Sequence, residues 1–139
     1  MTMREQAMIL FANDAFYEAF KAGDLSAMEA LWARETPIFC AHPGWAPLQG
    51  RDEVMESWQA IFEGGGIPQD LRCREPRVVP LGPAHAIVLC YEQVGDALLL
   101  ATNVFCKEAG HWRLLHHHAG PTQGESGSLG EEPEQKPVQ

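Results

Sequence analysis

Three consecutive stretches, "HAIVLCYEQ", "ALLLATNVFCK" and "HWRLLHHHA", alternate with a period of two and are joined by turns at "VGD" and "KEAG". A period of two sends successive side chains to opposite faces of a strand. Short glycine-containing connections join such strands as antiparallel hairpins. This meander constrains the chain more than any other feature, because both of its faces are apolar. Val88, Cys90, Leu99, Ala101, Phe105, Trp112 and Leu114 fall on one face, and Ile87, Leu89, Tyr91, Leu98, Leu100, Val104 and Leu115 on the other. A sheet with one wet face alternates to polar residues there. Here each face needs a cover.

The N-terminal half supplies one. Met8, Phe11, Ala12, Ala15, Phe16, Ala19 and Phe20 recur at spacings of three and four, which predicts a helix with one apolar stripe. Gly23 suits its C-cap and Asp24 the N-cap of a second helix carrying Leu25, Met28, Leu31 and Trp32. "TPIFCAH" reads as a short strand, and Pro43, Gly44 and Pro47 break it into a loop. A third helix follows Gly50 with Val54, Trp58 and Ile61 on one side, and "EGGGIP" ends it. "CREPRVVPL" reads as the first strand of the sheet, at an edge because of Pro76 and Pro80. Helices followed by antiparallel strands predict an α+β fold, three N-terminal helices packed on the sheet. The second apolar face predicts a homodimer through the sheet, since large apolar patches are rarely left bare. After Gly120 the sequence has almost no apolar residues, so the reading is one domain over 1–120 and a disordered acidic tail over 121–139.

Net charge is -9 and the 10 Lys and Arg residues are scattered. No basic stripe exists to neutralise phosphates, which argues against nucleic acid and anionic membrane surfaces. No stretch approaches the ~20 apolar residues of a membrane span. Cys40, Cys73, Cys90 and Cys106 form no CxxC pair, and three of them sit in apolar runs. They read as free core thiols of a cytoplasmic protein.

Turn lengths suggest a register. Glu92 opposes Leu99, Cys90 opposes Ala101 and Val88 opposes Asn103; Phe105 then opposes Trp112, Asn103 opposes Leu114 and Ala101 opposes His116. In this register Glu92, Asn103, His116 and His118 stand on an otherwise apolar face, and His117 points the other way, toward the dimer interface. Apolar walls around a few polar groups make a ligand pocket. Cys40 and His42 share a parity and could face the same space, with Phe105 and the rings of Trp32, Trp45 and Trp58 as walls. His116 or His118 would serve as acid or base near neutral pH, and Asn103 would orient the imidazole or hold a substrate oxygen. The plainer alternative is a hydrogen-bonded pair that only lines the pocket. Glu92 buried there would have a raised pKa and could act as a base, or it could reach water at the strand end. Trp45 is either a lid or loop packing. Cys40, His42, His116 and His118 would together suit zinc only if distant strands converged, so no metal or other cofactor is expected.

"FYEAFKAGDLSAMEALWA", "HPGWAPLQGRDEVMESWQAIF", "ATNVF" and "WRLLHHHAG" resemble the SnoaL-like branch of the nuclear-transport-factor-2-like (NTF2-like) superfamily, over residues 8–120. The resemblance implies an NTF2-like or cystatin-like cone: a curved antiparallel sheet around helices, an interior pocket, and dimers through the sheet. It implies no single reaction, because the superfamily holds ketosteroid isomerases, polyketide cyclases, dehydratases and non-enzymatic association domains. The isomerases' catalytic Asp and Tyr find no matching positions, and Ala119 and Gly120 stand where relatives often carry a serine. The expectation is therefore a pocket for a small apolar molecule and cofactor-free isomerisation, cyclisation or dehydration by His116 or His118, with Asn103 and His42 polarising a carbonyl. The alternative is a non-catalytic ligand-binding or assembly module.

Overall fold

The computed structural model describes residues 1–68 and 70–123. Helix α1 (Met3–Ala22) opens where the Thr2 hydroxyl accepts the Glu5 N–H at 3.0 Å. It closes at Gly23, whose φ of +63° a side chain would resist and whose Cβ would meet Ile67 at 2.8 Å. Asp24 then caps α2 (Leu25–Leu31) by accepting the Ala27 N–H. The remaining elements are β1 (Phe39–Ala41), β2 (Leu48–Gln49), α3 (Arg51–Glu63), β3 (Leu71–Pro80), β4 (His85–Val94), β5 (Ala97–Glu108) and β6 (His111–Pro121). One sheet runs in the order β2-β1-β6-β5-β4-β3. The α+β reading with three helices holds. Pro121 ends β6 and so belongs to the sheet; residues 124–139, most of the expected tail, lie outside the described residues.

Local chemistry explains the edges. β3 is the edge strand its prolines require, and Pro76 falls within a bulge between Arg74 and Arg77 where Glu75 takes a φ of +51°. The strand expected over 36–42 is shorter, and it runs parallel to β6 with the two-residue β2 on its far side. Arg51 of α3 reaches back to donate to the carbonyls of Trp32, Ala33 and Glu29, which would otherwise end α2 unpaired. The Glu108 carboxylate accepts the backbone N–H groups of Arg34, Glu35 and Thr36 at 2.8–3.0 Å, tying this connection to the β5–β6 end.

Two expectations are corrected. On α1 Phe16, Ala19 and Phe20 are buried as expected, but the buried stripe continues through Ile9, Asn13 and Tyr17, and Met8 is 40% and Phe11 76% exposed. Both continuations have helical spacing from Phe16 and Phe20, and packing turns the one through Ile9 and Tyr17 inward. The second correction concerns β6. The β4–β5 register is as expected, with Glu92 opposite Leu99 and Val88 opposite Asn103. The β5–β6 turn, however, uses only Ala109 and Gly110, both at positive φ, so Lys107 opposes Trp112 and Phe105 opposes Leu114. An extra residue, Leu115, then bulges out before Val104 pairs with His116. A one-residue bulge inverts every side chain beyond it. Trp112 and Leu114 stay inside as expected, but His117 turns inward (1% exposed) and His118 becomes exposed. The expectation that His116 and His118 face the interior and His117 the outside is reversed.

Candidate functional site

Four elements bring polar side chains to one point inside the core. Asn13 and Tyr17 come from α1, Glu92 from β4, Asn103 from β5 and His117 from β6; each is at most 4% exposed. Asn103 is the hub. Its amide nitrogen donates to Asn13 Oδ1 at 2.8 Å and to the Tyr17 hydroxyl at 3.2 Å. Its amide oxygen is therefore the acceptor 2.6 Å from His117 Nδ1. That contact places the proton of neutral His117 on Nδ1 and leaves Nε2 with a free lone pair. The Tyr17 hydroxyl donates to Glu92 Oε2 at 2.7 Å, and that oxygen lies 3.8 Å from His117 Nε2. Cys90 sits 3.3 Å from the Tyr17 oxygen, and Asn13 donates to Cys73 at 3.6 Å.

Burial sets the charge states. It raises the Glu92 carboxyl above its usual range, only partly offset by the Tyr17 hydrogen bond, and pushes His117 down to about 3. Burial, with Glu92 nearby, also lifts the Tyr17 hydroxyl well above 10. The His117–Glu92 approach is thus a base beside an acid, both driven toward neutrality, and not an ion pair.

A second pair lies beside it. His42 Nε2 is 2.8 Å from the Ser57 hydroxyl, which itself donates to the Val54 carbonyl at 2.6 Å. A hydroxyl has one proton to give, so His42 donates and Ser57 accepts. This polarity makes Ser57 no nucleophile toward His42. Burial lowers His42 to about 4.

These two histidines predict an acid response. Each titrates at ~6.5 in an unfolded chain, but near 3 and 4 in the fold. In between, the unfolded chain binds protons that the fold excludes. Their stabilisation is complete above pH ~6.5 and is lost as pH falls toward 4, by about 1.4 kcal/mol per pH unit for each histidine. Glu92 acts in the opposite sense. Its carboxyl keeps a proton above 4.5 that the unfolded chain releases, so it weakens the fold as pH rises through that window. Urea midpoints between pH 7 and pH 4 should fall, and His42→Gln should flatten the decline. An unchanged decline in that variant would contradict this account.

The other expected site residues divide cleanly. Cys40 (1% exposed) opposes His117 across β1–β6, with its sulfur 3.8 Å from His42 Nε2; burial raises its thiol to about 12. Trp58 and Phe105 are buried in the same core, as is Trp32, whose indole donates to the Met28 sulfur. Trp45 is 45% exposed and meets the His42 ring edge-on at 5.0 Å, at the rim. His116 stacks outside on Phe39 at 4.1 Å and contacts its carbonyl at 3.0 Å through Nδ1. The set Cys40, His42, His116 and His118 therefore does not converge, and among the described residues no cluster of three or more His, Cys, Asp or Glu could hold a metal. All four cysteines are free. Tyr17, Asn13 and Ser57 were not anticipated. The signal for the first two was present: polar residues four apart within the spacing of Ile9, Phe16 and Phe20.

The rings of Phe16 and Trp58 lie 4.9 and 6.1 Å from that of His117, and they close the site from above. Four cavities of about 450–570 Å³ are lined by other residues. Among the described residues no helix is long and apolar enough to cross a membrane.

Comparisons with known proteins agree with this architecture. A candidate dehydratase of the NTF2-like family from Streptomyces avermitilis is 29% identical and superposes with a TM-score of 0.75 over 87% of this chain and 98% of that one. A candidate calcium/calmodulin-dependent protein kinase type II association domain from Thiobacillus denitrificans is 38% identical, with a TM-score of 0.65 over 81% of this chain and 93% of that one. F-box protein SKIP8 of Arabidopsis thaliana is 29% identical across 80% of this chain. The chain spans less than half the length of the curated relatives it matches, 48% and 43%. The SnoaL-like domain family itself matches residues 9–122, nearly every described residue, and with the helix order, the sheet and the structural likeness in agreement, the chain belongs to that SnoaL-like family.

Proposed function

We propose that this domain binds a small, mainly apolar carbonyl compound inside the cone and moves a proton on it without a cofactor, as in isomerisation or dehydration. The observation that carries the reading is the convergence of an imidazole and a carboxyl at one buried point, each shifted by burial toward its uncharged form. His117 Nε2 offers the lone pair, and the Glu92 carboxyl, held in place by the Tyr17 hydroxyl that donates to it, offers the proton to a developing oxyanion. Burying such groups is costly, and strongly shifted pKa values gather at working sites. In this reading Asn103 orients the imidazole of His117, which stands inside where His116 or His118 was expected. The loop bearing Trp45 is the entrance, and His42 with Trp58 forms the wall behind it. Four free thiols fit a reducing, cytoplasmic setting.

Deuterium uptake tests this without knowing the substrate. The protein is incubated in D2O with a panel of apolar ketones and enones, and exchange beside the carbonyl is read by mass spectrometry. We expect exchange on at least one compound, reduced at least ~100-fold by Glu92→Gln or Tyr17→Phe and unchanged by His118→Ala. A silent panel, or exchange indifferent to Glu92, would remove the catalytic reading.

The second reading is an assembly module. It is supported by the outward sheet face, where Ile87, Leu89 and Tyr91 are only half-buried and Leu100 is 45% exposed, and by the likeness to an association domain. A homodimer through this face is compatible with either reading.

A further inference from the structure

Helix α1 turns one apolar stripe into the core and leaves a second at the surface. Met8, Phe11 and Ala15 form it, with Phe11 76% exposed. A groove lies on each side of that ring. One, about 490 Å³, has Met8, Leu31 and Trp112 in its lining; the other, about 450 Å³, has Ala15, Ala19 and Ala27. Their charged members differ in sign. Arg4 and Arg113 belong to the first groove, and Asp14, Glu18 and Asp24 to the second. An exposed ring beside apolar grooves is an unfilled contact.

We propose that a second copy of the chain covers this face, with the two α1 helices antiparallel about a two-fold axis at Phe11. In a two-fold contact residue i meets j and j meets i. With the axis at Phe11, Arg4 stands opposite Glu18, each seven positions from it, and Ala7 opposite Ala15, each four positions away. The alanine pairs let the helices approach closely, and each Phe11 enters the partner's groove. A parallel arrangement would set Arg4 against Arg4. Glu18 also lies 3.1 Å from Lys21 within its own helix, but both side chains are exposed and such a pair holds weakly. Burial of Phe11 supplies the affinity, and the arginine–glutamate pairs set the direction. This contact is distinct from the outer sheet face and from the buried acid–base set, so it stands whether or not the domain is catalytic.

Sedimentation velocity on the full chain over a range of concentrations tests it. Phe11→Glu should weaken self-association at least ~10-fold, and the assembly mass should halve while the far-ultraviolet circular dichroism stays unchanged. Arg4→Glu alone should weaken it, because two carboxylates would then face each other across the axis. The exchanged variant Arg4→Glu/Glu18→Arg should return to within about twofold of the parent. An unchanged mass in Phe11→Glu overturns the proposal, as does failure of the exchanged variant to recover. A parent that is monomeric at every concentration also overturns it and leaves the face to another partner.

Discussion

Asn103→Leu should lower the free energy of unfolding by about 4 kcal/mol, because it keeps the volume but removes the hub of the buried network. His117 Nδ1–H loses its acceptor at 2.6 Å and Asn13 Oδ1 its donor at 2.8 Å. Neither can turn to water, since both residues are about 1% exposed. A buried polar group left unpaired costs about 1–3 kcal/mol, and here there are two, besides the lost bond to Tyr17. Urea unfolding at pH 7 measures the loss. The companion experiment is a double-mutant cycle with His117→Leu. Removing both partners together eliminates an orphan that each single change creates, so the double variant should be destabilised by clearly less than the sum of the singles. Strict additivity would mean that the hydrogen bond between Asn103 and His117 does not organise the core.

Trp58→Ala should cost a similar amount, about 3–5 kcal/mol, by a different route. Trp58 is fully buried, and its ring meets Phe16, Phe20 and His42 edge-on with centroids 5.6, 4.9 and 4.6 Å away. Truncation opens a cavity between rings held by α1 and the ring of His42 after β1, which cannot collapse together. Trp58→Phe separates packing from hydrogen bonding. The indole Nε1–H has no acceptor among the described residues, so its removal forfeits no bond and relieves a buried orphan. The phenylalanine variant should therefore lose far less than the alanine variant. Equal losses would show that the N–H is bonded in solution, to water or to a ligand at the head of the site.

Much of this was legible from local pattern. The caps at Thr2, Gly23 and Asp24 act within a few residues, and only the first of them went unread in the sequence. The β4–β5 hairpin is set by a two-residue turn at Gly95 and Asp96, which side-chain parity follows directly. Asn103 and Glu92 could be placed on the inner face for that reason. Tyr17 could not be matched to them, because its choice between the two stripes of α1 rests on contacts with strands about 75 positions away. Both stripes satisfy the helical period equally well.

The amino-acid sequence by itself determined the periods, the breaks and the caps, and with them an α+β chain of three helices and an antiparallel meander. It also placed a few polar residues, Glu92 and Asn103 among them, on an otherwise apolar face. Only the tertiary structure decided which histidine joins them. The bulge at Leu115 leaves one residue of β6 unpaired and inverts the side chains beyond it. The balance is struck by what then meets across strands: His117 against Asn103 inside, and His116 on Phe39 outside. A single residue of register, invisible to any local pattern, moved the imidazole at the centre of the site by one position.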